Sequence, residues 1–320
     1  ICVPAPYAKL GFTLCRGVGC SEVSRDRQNR LKITLVRYMM SQEKLANNSS
    51  SRKKARKLSS ARVEMHGVSK SYGEDWDAED VIEDISVDFP AGELTVIVGP
   101  SGCGKSTLVN LLAGFEAPDS GQVTVDGQTV KGPAKDRMVV FQETALIPWQ
   151  TTIENVTFGP KMRGEKRGAS LTREAEDLLI KVGLGEFMHK YPIQLSGGMQ
   201  RRAELARALI NEPTVMIMDE PFRGLDAMSR SLMQEFFLTL FEENQKTNIF
   251  VTSEIDEAIF LADNLVILSN KPTTVQTVMK IDLPRPRNYK MLTTEKAFKY
   301  RKQAMELLHG EAMKSFAVSK

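Results

Sequence analysis

Three short runs of this 320-residue sequence place groups at spacings suited to phosphate chemistry. The first is GPSGCGKST, residues 99–107, which fits G-x-x-x-x-G-K-[ST] through Gly99, Gly104, Lys105 and Ser106. Glycines there let backbone N–H groups converge on phosphate oxygens, and the start of a following helix adds partial positive charge. Lys105 would reach the β- and γ-phosphates of a nucleotide, and the Ser106 hydroxyl would ligate Mg2+. Pro100, Ser101, Gly102 and Thr107 complete the loop, with Cys103 as filler at a variable position. The second run, VMIMDE (215–220), ends an apolar stretch in two acids. Asp219 would hold the Mg2+ shell and Glu220 would polarise an attacking water. The third, LSGGMQ (195–200), has a serine suited to cap a helix beside two glycines, which makes a second anion-binding geometry. One nucleotide needs no second cradle from the same chain, unless that cradle serves a neighbour's γ-phosphate.

These groups need strands and helices to hold them. VIEDISVDF (81–89) alternates at Ile85, Val87 and Phe89, as a half-buried strand does. LTVIV (94–98) and TVMIM (214–218) are continuously apolar and read as buried central strands. IFVT (249–252) and LVILS (265–269) follow in the same style. QVTVDGQTV is a hairpin with Asp126-Gly127 in its turn. After the phosphate loop, Leu108, Leu111 and Leu112 share one helical face. Residues 151–212 read as mostly helical, with a Thr151/Glu154 capping box and Ala175, Leu178, Leu179 and Val182 at helical spacing before Gly183. Strands alternating with helices indicate an α/β core.

Composition excludes some classes. Apolar residues make up 42% and charged residues 26%, the balance of a soluble globular chain. A net charge of +3 gives no argument for nucleic acid. The four cysteines lack metal-ligand spacing and read as free thiols in a reducing compartment. No apolar run approaches the about 18 residues of a membrane span. The chain opens at Ile1, and Met39-Met40 offers another start, with the upstream part then a mistranslated leader or a fragment. NNSSSRKKARKLSSAR is too polar to order itself and reads as a solvated linker. As a lipid tether, it would gain about 1 kcal/mol per basic residue near an anionic surface. The expected organisation is a basic, disordered or mistranslated leader at 1–60, a catalytic domain at 61–285 with a helical insertion at about 150–212, and a charged, partly helical tail at 286–320.

Taken in order, these runs resemble the ATPase subunit of an ATP-binding cassette (ABC) transporter, over about residues 62–290. The resemblance implies an α/β fold: a P-loop NTPase core with an antiparallel β subdomain and a helical subdomain. It implies ATP and Mg2+ as ligands, with Gly99 to Thr107 around the phosphates and Tyr72 stacked on adenine. Gln142, in VVFQETALIPW, matches the loop glutamine that senses the γ-phosphate, joins Ser106 and Asp219 at the metal and touches a membrane partner. Ser196, Gly197, Gly198 and Gln200 match the signature, and Asp226 in GLDAMSR matches the aspartate of the loop after Glu220. The implied partners are an integral-membrane permease and, indirectly, a solute-binding protein. A second cassette chain, itself or a cousin, is implied in a head-to-tail dimer at the cytoplasmic face of the inner membrane. ALIPW (145–149) and DLPRPR (282–287) look most like the branch importing nitrate, alkanesulfonates or taurine.

Two positions depart from the pattern. The strand after Asp226 usually ends in a histidine that positions the water and the catalytic glutamate; here Ser253 and Glu254 stand in its place. The chain has only His66, His189 and His309, none of them nearby in sequence. Serine donates one hydrogen bond but carries no positive charge. Losing one transition-state donor costs about 3–4 kcal/mol, so two readings follow. One is an importer ATPase, slowed but working through Glu220, Gln142, Lys105 and Ser253. The other is a hydrolysis-impaired regulatory subunit that pairs with a competent ATPase chain. The second departure is Arg223, where a small residue is usual; it would repel, bridge or compensate. A P-loop kinase, GTPase or DNA-repair cassette fits the signature and the ALIPW loop poorly.

Overall fold

The structure, a computed structural model, describes residues 60–73, 77–164 and 168–318, and the expectations placed on residues 1–59 lie outside them. Strands β1 (Val63–Tyr72) and β2 (Glu79–Phe89) pair antiparallel, and β2 keeps the expected alternation, burying Ile85, Val87 and Phe89. Strand β3 (Leu94–Val98) is buried throughout and leads through the 99–104 loop into α1 (Lys105–Ala113). The hairpin of β4 (Ser120–Val125) and β5 (Gln128–Thr129) turns at Asp126-Gly127 and joins β1, so this sheet runs β2-β1-β4-β5.

After β6 (Arg137–Val140) the chain turns helical through α2 (Thr152–Arg163), α3 (Ala169–Lys181) and α4 (Gly197–Leu209). The Thr151 N–H and O–H both donate to the Glu154 carboxylate, at 2.8 and 2.7 Å, closing the start of α2. Then follow β7 (Val215–Asp219), α5 (Ala227–Asn244), β8 (Thr247–Thr252), α6 (Ile255–Leu261), β9 (Asn264–Leu268), β10 (Val275–Lys280) and α7 (Glu295–Val318).

The second sheet has the order β10-β9-β3-β8-β7-β6, parallel except at β10. Helices and the first sheet cover its two faces, which is why β3 and β8 are buried at every position and mostly apolar. Val96 and Val98 of β3 face one core with Met216, Met218 and Phe250, while Ile97 faces another with Ile217, Ile249 and the first sheet. Val98 pairs with Thr252 and Asp219 with Val251. The carboxyl ends of β3, β7 and β8 therefore emerge side by side, the place where open parallel sheets bind ligands.

The end of the chain returns to the core. Ile281, Leu283, Ala297 and Ala304 are buried. Within DLPRPR, Arg285 and Arg287 both reach the Asp263 carboxylate, at 2.7 and 3.3 Å, and that carboxylate also accepts the Leu94 N–H at 2.9 Å. This run is thus a strap across the start of β3. Burial and the neighbouring Arg285 bring the Arg287 guanidinium down to about 10.

Candidate functional site

The loop between β3 and α1 needs its glycines for two different reasons. Gly104 has φ +102, which disfavours any side chain, and a Cβ there would sit 2.7 Å from Val81. Gly99 is packed too tightly: its Cβ would meet Cys103 Sγ at 2.8 Å and Leu268 at 3.0 Å. Thr273 holds the loop from behind, its hydroxyl donating to the Cys103 carbonyl. Burial pushes the Cys103 thiol pKa up, so it behaves as packing. Lys105 is buried, and its ammonium donates to the Gly99 and Pro100 carbonyls at 3.0 and 2.8 Å. An arriving phosphate would take over those bonds.

Ser106, in the first turn of α1, donates its hydroxyl to Asp219 Oδ2 at 3.0 Å. A hydroxyl and a carboxylate side by side form a hard-oxygen pair, the donor type Mg2+ prefers. Burial raises the Asp219 pKa, opposed by the Ser106 bond and reinforced by the Glu220 charge. A divalent cation at that point would relieve both costs. The residues present therefore fit Mg2+ together with a nucleotide's phosphates.

Glu220 follows Asp219 with φ +41, an uncommon backbone for a residue with a side chain, and its N–H donates to the Val251 carbonyl at 2.8 Å. Only 9% of Glu220 is exposed. Its two carboxylate oxygens have separate partners. Ser253 donates its hydroxyl to Oε1 at 2.5 Å, and Arg223 donates Nη1–H to Oε2 at 2.8 Å. These groups line a cleft of ≈250 Å3 with Ser101, Arg230 and Glu257. Glu257 is buried; Gln234 donates to one of its oxygens and Thr252, just before Ser253, donates to the other, both at 2.5 Å. Burial raises its pKa. Glu254 also lines this cleft, 3.6 Å from Arg230.

Other expected residues stand apart. Tyr72, partly exposed at the end of β1, donates its hydroxyl to Glu116. Gln142 is exposed after β6, where Arg201 of α4 donates to its carbonyl and, at 2.8 Å, to that of Phe141. Glu204 pairs with Arg201 at 2.6 Å and accepts the Ala145 N–H at 2.6 Å. Ser196 caps α4 by accepting the Met199 N–H at 3.3 Å. Gln200 donates back to the Pro192 carbonyl at 2.8 Å. Asp226 caps α5, accepting the Met228 and Ser229 N–H groups at 3.1 and 3.0 Å; the Ser229 hydroxyl first and the Ser229 N–H next hold its pKa low. Among the described residues no hydrogen bond joins Ser196–Gly198 to the 99–107 loop. A Cβ on Gly198 would meet nothing within 4 Å.

The sequence reading left out Glu257, Thr252, Arg230 and Thr273. Glu257 lies inside IDEAIFLAD, but its burial depends on Gln234, distant in sequence. Arg223 stood out by its residue type, while its partner did not.

Comparison with known proteins places the chain in company. The family model "ABC transporter" matches residues 82–223. An uncharacterised ABC transporter ATP-binding protein of Methanocaldococcus jannaschii is 38% identical over 262 residues, covering 82% of this chain and 97% of that protein. The taurine import ATP-binding protein TauB of Pseudomonas aeruginosa is 41% identical, covering 70% of this chain and 85% of its own length. The nitrate import ATP-binding protein NrtD of Synechococcus elongatus is 42% identical, covering 71% and 84%. Among solved structures, a dimeric post-hydrolysis state of an ATP-binding cassette bound to ADP and Pi superposes with TM-score 0.60 at 29% identity, covering 69% of this chain and all of that one.

Proposed function

Since this chain belongs to the ABC transporter family, as an ATP-binding subunit and ATPase, we propose that it closes on MgATP as half of a head-to-tail dimer and drives import of a small anionic or zwitterionic solute. The observation that carries the reading is the convergence of Ser106, Asp219, Glu220 and Ser253 on the carboxyl ends of three adjacent strands. Tyr72 offers its ring to the adenine. Backbone N–H groups of 99–107 and the Lys105 ammonium take the phosphates. Ser106 and Asp219, with Gln142 from the exposed loop, hold Mg2+, which when bound offsets phosphate charge. Glu220 orients the attacking water and accepts its proton. Once phosphate leaves, Lys105 returns to the Gly99 and Pro100 carbonyls.

The dimer reading rests on the serine-capped start of α4. Its Ser196 and Gly197 are exposed, and nothing within the chain demands a glycine at 198. A partner's γ-phosphate needing close backbone approach supplies the demand. A second cleft of ≈310 Å3, lined by Phe115, Met138, Phe141, Glu204 and Arg207, adjoins the Gln142 loop and suits a helical segment of a membrane permease. Among the described residues no helix is long and apolar enough to cross a membrane, consistent with a separate permease chain. The named taurine and nitrate import relatives support the solute class.

The test is MgATP turnover by the full chain beside Glu220→Gln, with nucleotide binding measured on both. The expected result is turnover in the wild type, background in the variant and binding in each. Wild-type turnover no higher than the variant's would defeat the reading.

A further inference from the structure

The residue after Phe222 carries a charge that the phosphate site does not require, and its geometry is specific. The turn Glu220–Arg223 closes with the Arg223 N–H donating to the Glu220 carbonyl at 3.0 Å. Phe222, 1% exposed, anchors the turn against Phe250 and Phe237, with ring centroids 5.5 and 6.2 Å away. The Arg223 side chain then folds back over three residues to its 2.8 Å bond with Glu220 Oε2, while Ser253 holds Oε1.

We propose that Arg223 is a positioning residue for hydrolysis: with Ser253 it clamps the Glu220 carboxylate through both oxygens, sharing the orienting role that one histidine at position 253 would fill. This rests on the reading of Glu220 as the residue that orients water. Each clamped oxygen accepts one bond and keeps lone-pair capacity for a water. The clamp therefore fixes the carboxylate without blocking it. Fixing it matters because a carboxylate tethered on one oxygen alone swings about that bond, and misplacement at the reacting centre is costly in rate. The arginine suits a chain with serine at 253: serine supplies a short donor, and arginine supplies the positive charge that serine lacks. Arg223 is 62% exposed on its side chain, against 11% for Glu220. Its contribution therefore falls between that of a solvent-screened ion pair and that of a hydrogen bond to a buried charge.

The experiment compares the full chain with Arg223→Ala, Arg223→Lys and Arg223→Ala/Ser253→His. It measures kcat, KM, affinity for a non-hydrolysable ATP analogue and affinity for Mg·ADP·vanadate. Arg223→Ala should lose about 3- to 10-fold in kcat, with KM and ATP-analogue affinity within about twofold. Affinity for ADP·vanadate should fall in step with kcat, because the clamp acts in the transition state. Lysine should recover most of the loss, since only one N–H bond is made. Histidine at 253 should recover it too by replacing the clamp from the other side. Unchanged kcat in Arg223→Ala, a rise in kcat, or a loss confined to nucleotide affinity would overturn the proposal. A wild type no faster than Glu220→Gln would instead overturn the hydrolysis reading itself and carry the clamp down with it.

Discussion

Removing the Ser253 hydroxyl isolates one half of the hold on Glu220. In Ser253→Ala the carboxylate loses a 2.5 Å donor at Oε1 and keeps Arg223 at Oε2. Hydrogen bonds to charged groups are worth about 1.5–3 kcal/mol. The remaining arginine still restrains the carboxylate, and Ser253 is itself at the solvent boundary, so the lower half of that range applies. About 1.5–2 kcal/mol in the transition state corresponds to a fall in kcat of about 10- to 30-fold. Lys105, Ser106 and Asp219 are untouched, so KM and nucleotide affinity should stay within about twofold. Steady-state phosphate release by the full chain, with the permease present if turnover requires it, gives kcat and KM together; equilibrium titration gives affinity. Ser253→His completes the set. Because Glu220 is already held from both sides, the imidazole should add less than about threefold to kcat. Two results would refute the reasoning: kcat in Ser253→Ala within twofold of wild type, or a gain of tenfold or more from histidine.

Burial raises the Glu257 pKa in the folded chain, so between its ordinary value and the raised one the native state holds more protons than the unfolded state. Its contribution then makes unfolding free energy decline as pH rises through that window. Glu257→Gln should remove the decline, so that the difference between variant and wild type in denaturant melts grows in the variant's favour from acid to neutral pH. Asp263→Ala strips the carboxylate from Arg287, whose side chain is 1% exposed, and orphans the Leu94 N–H. A loss of about 3 kcal/mol is expected, read as a lower denaturation midpoint; one under about 0.5 kcal/mol would show that the strap is not structural.

The strands of the second sheet were legible because burial on both faces writes itself as nearly unbroken apolar runs, as in LTVIV and VMIM. The 120–129 hairpin and the start of α2 were legible because turn and cap chemistry is local. The Ser106–Asp219 contact was foreshadowed by motif spacing, since a strand end and a helix start each carry their group to one edge of the sheet. What stayed hidden depended on long-range placement. DLPRPR marks a family branch in the sequence, but its packing onto Asp263 is visible only in the fold. Glu257 reads as an ordinary first-turn helix acid until Gln234 and Thr252 are seen to enclose it. Ser253 reads as a deficiency, and Arg223 as an anomaly, when each is taken singly. In the fold both end on the same carboxylate.

Helix α4 is a rod of 13 residues, about 20 Å long at 1.5 Å per residue. Its serine-capped tip is free, while Arg201, Glu204 and Arg207 along its length grip the backbone of residues 141–145. Those bonds tie the middle of α4 to the backbone that lines the Phe141 cleft. In the proposed dimer the tip would meet a partner's phosphate, and the same helix would carry that contact to whatever rests in the cleft. On that proposal, breaking the grip would separate nucleotide turnover from transport.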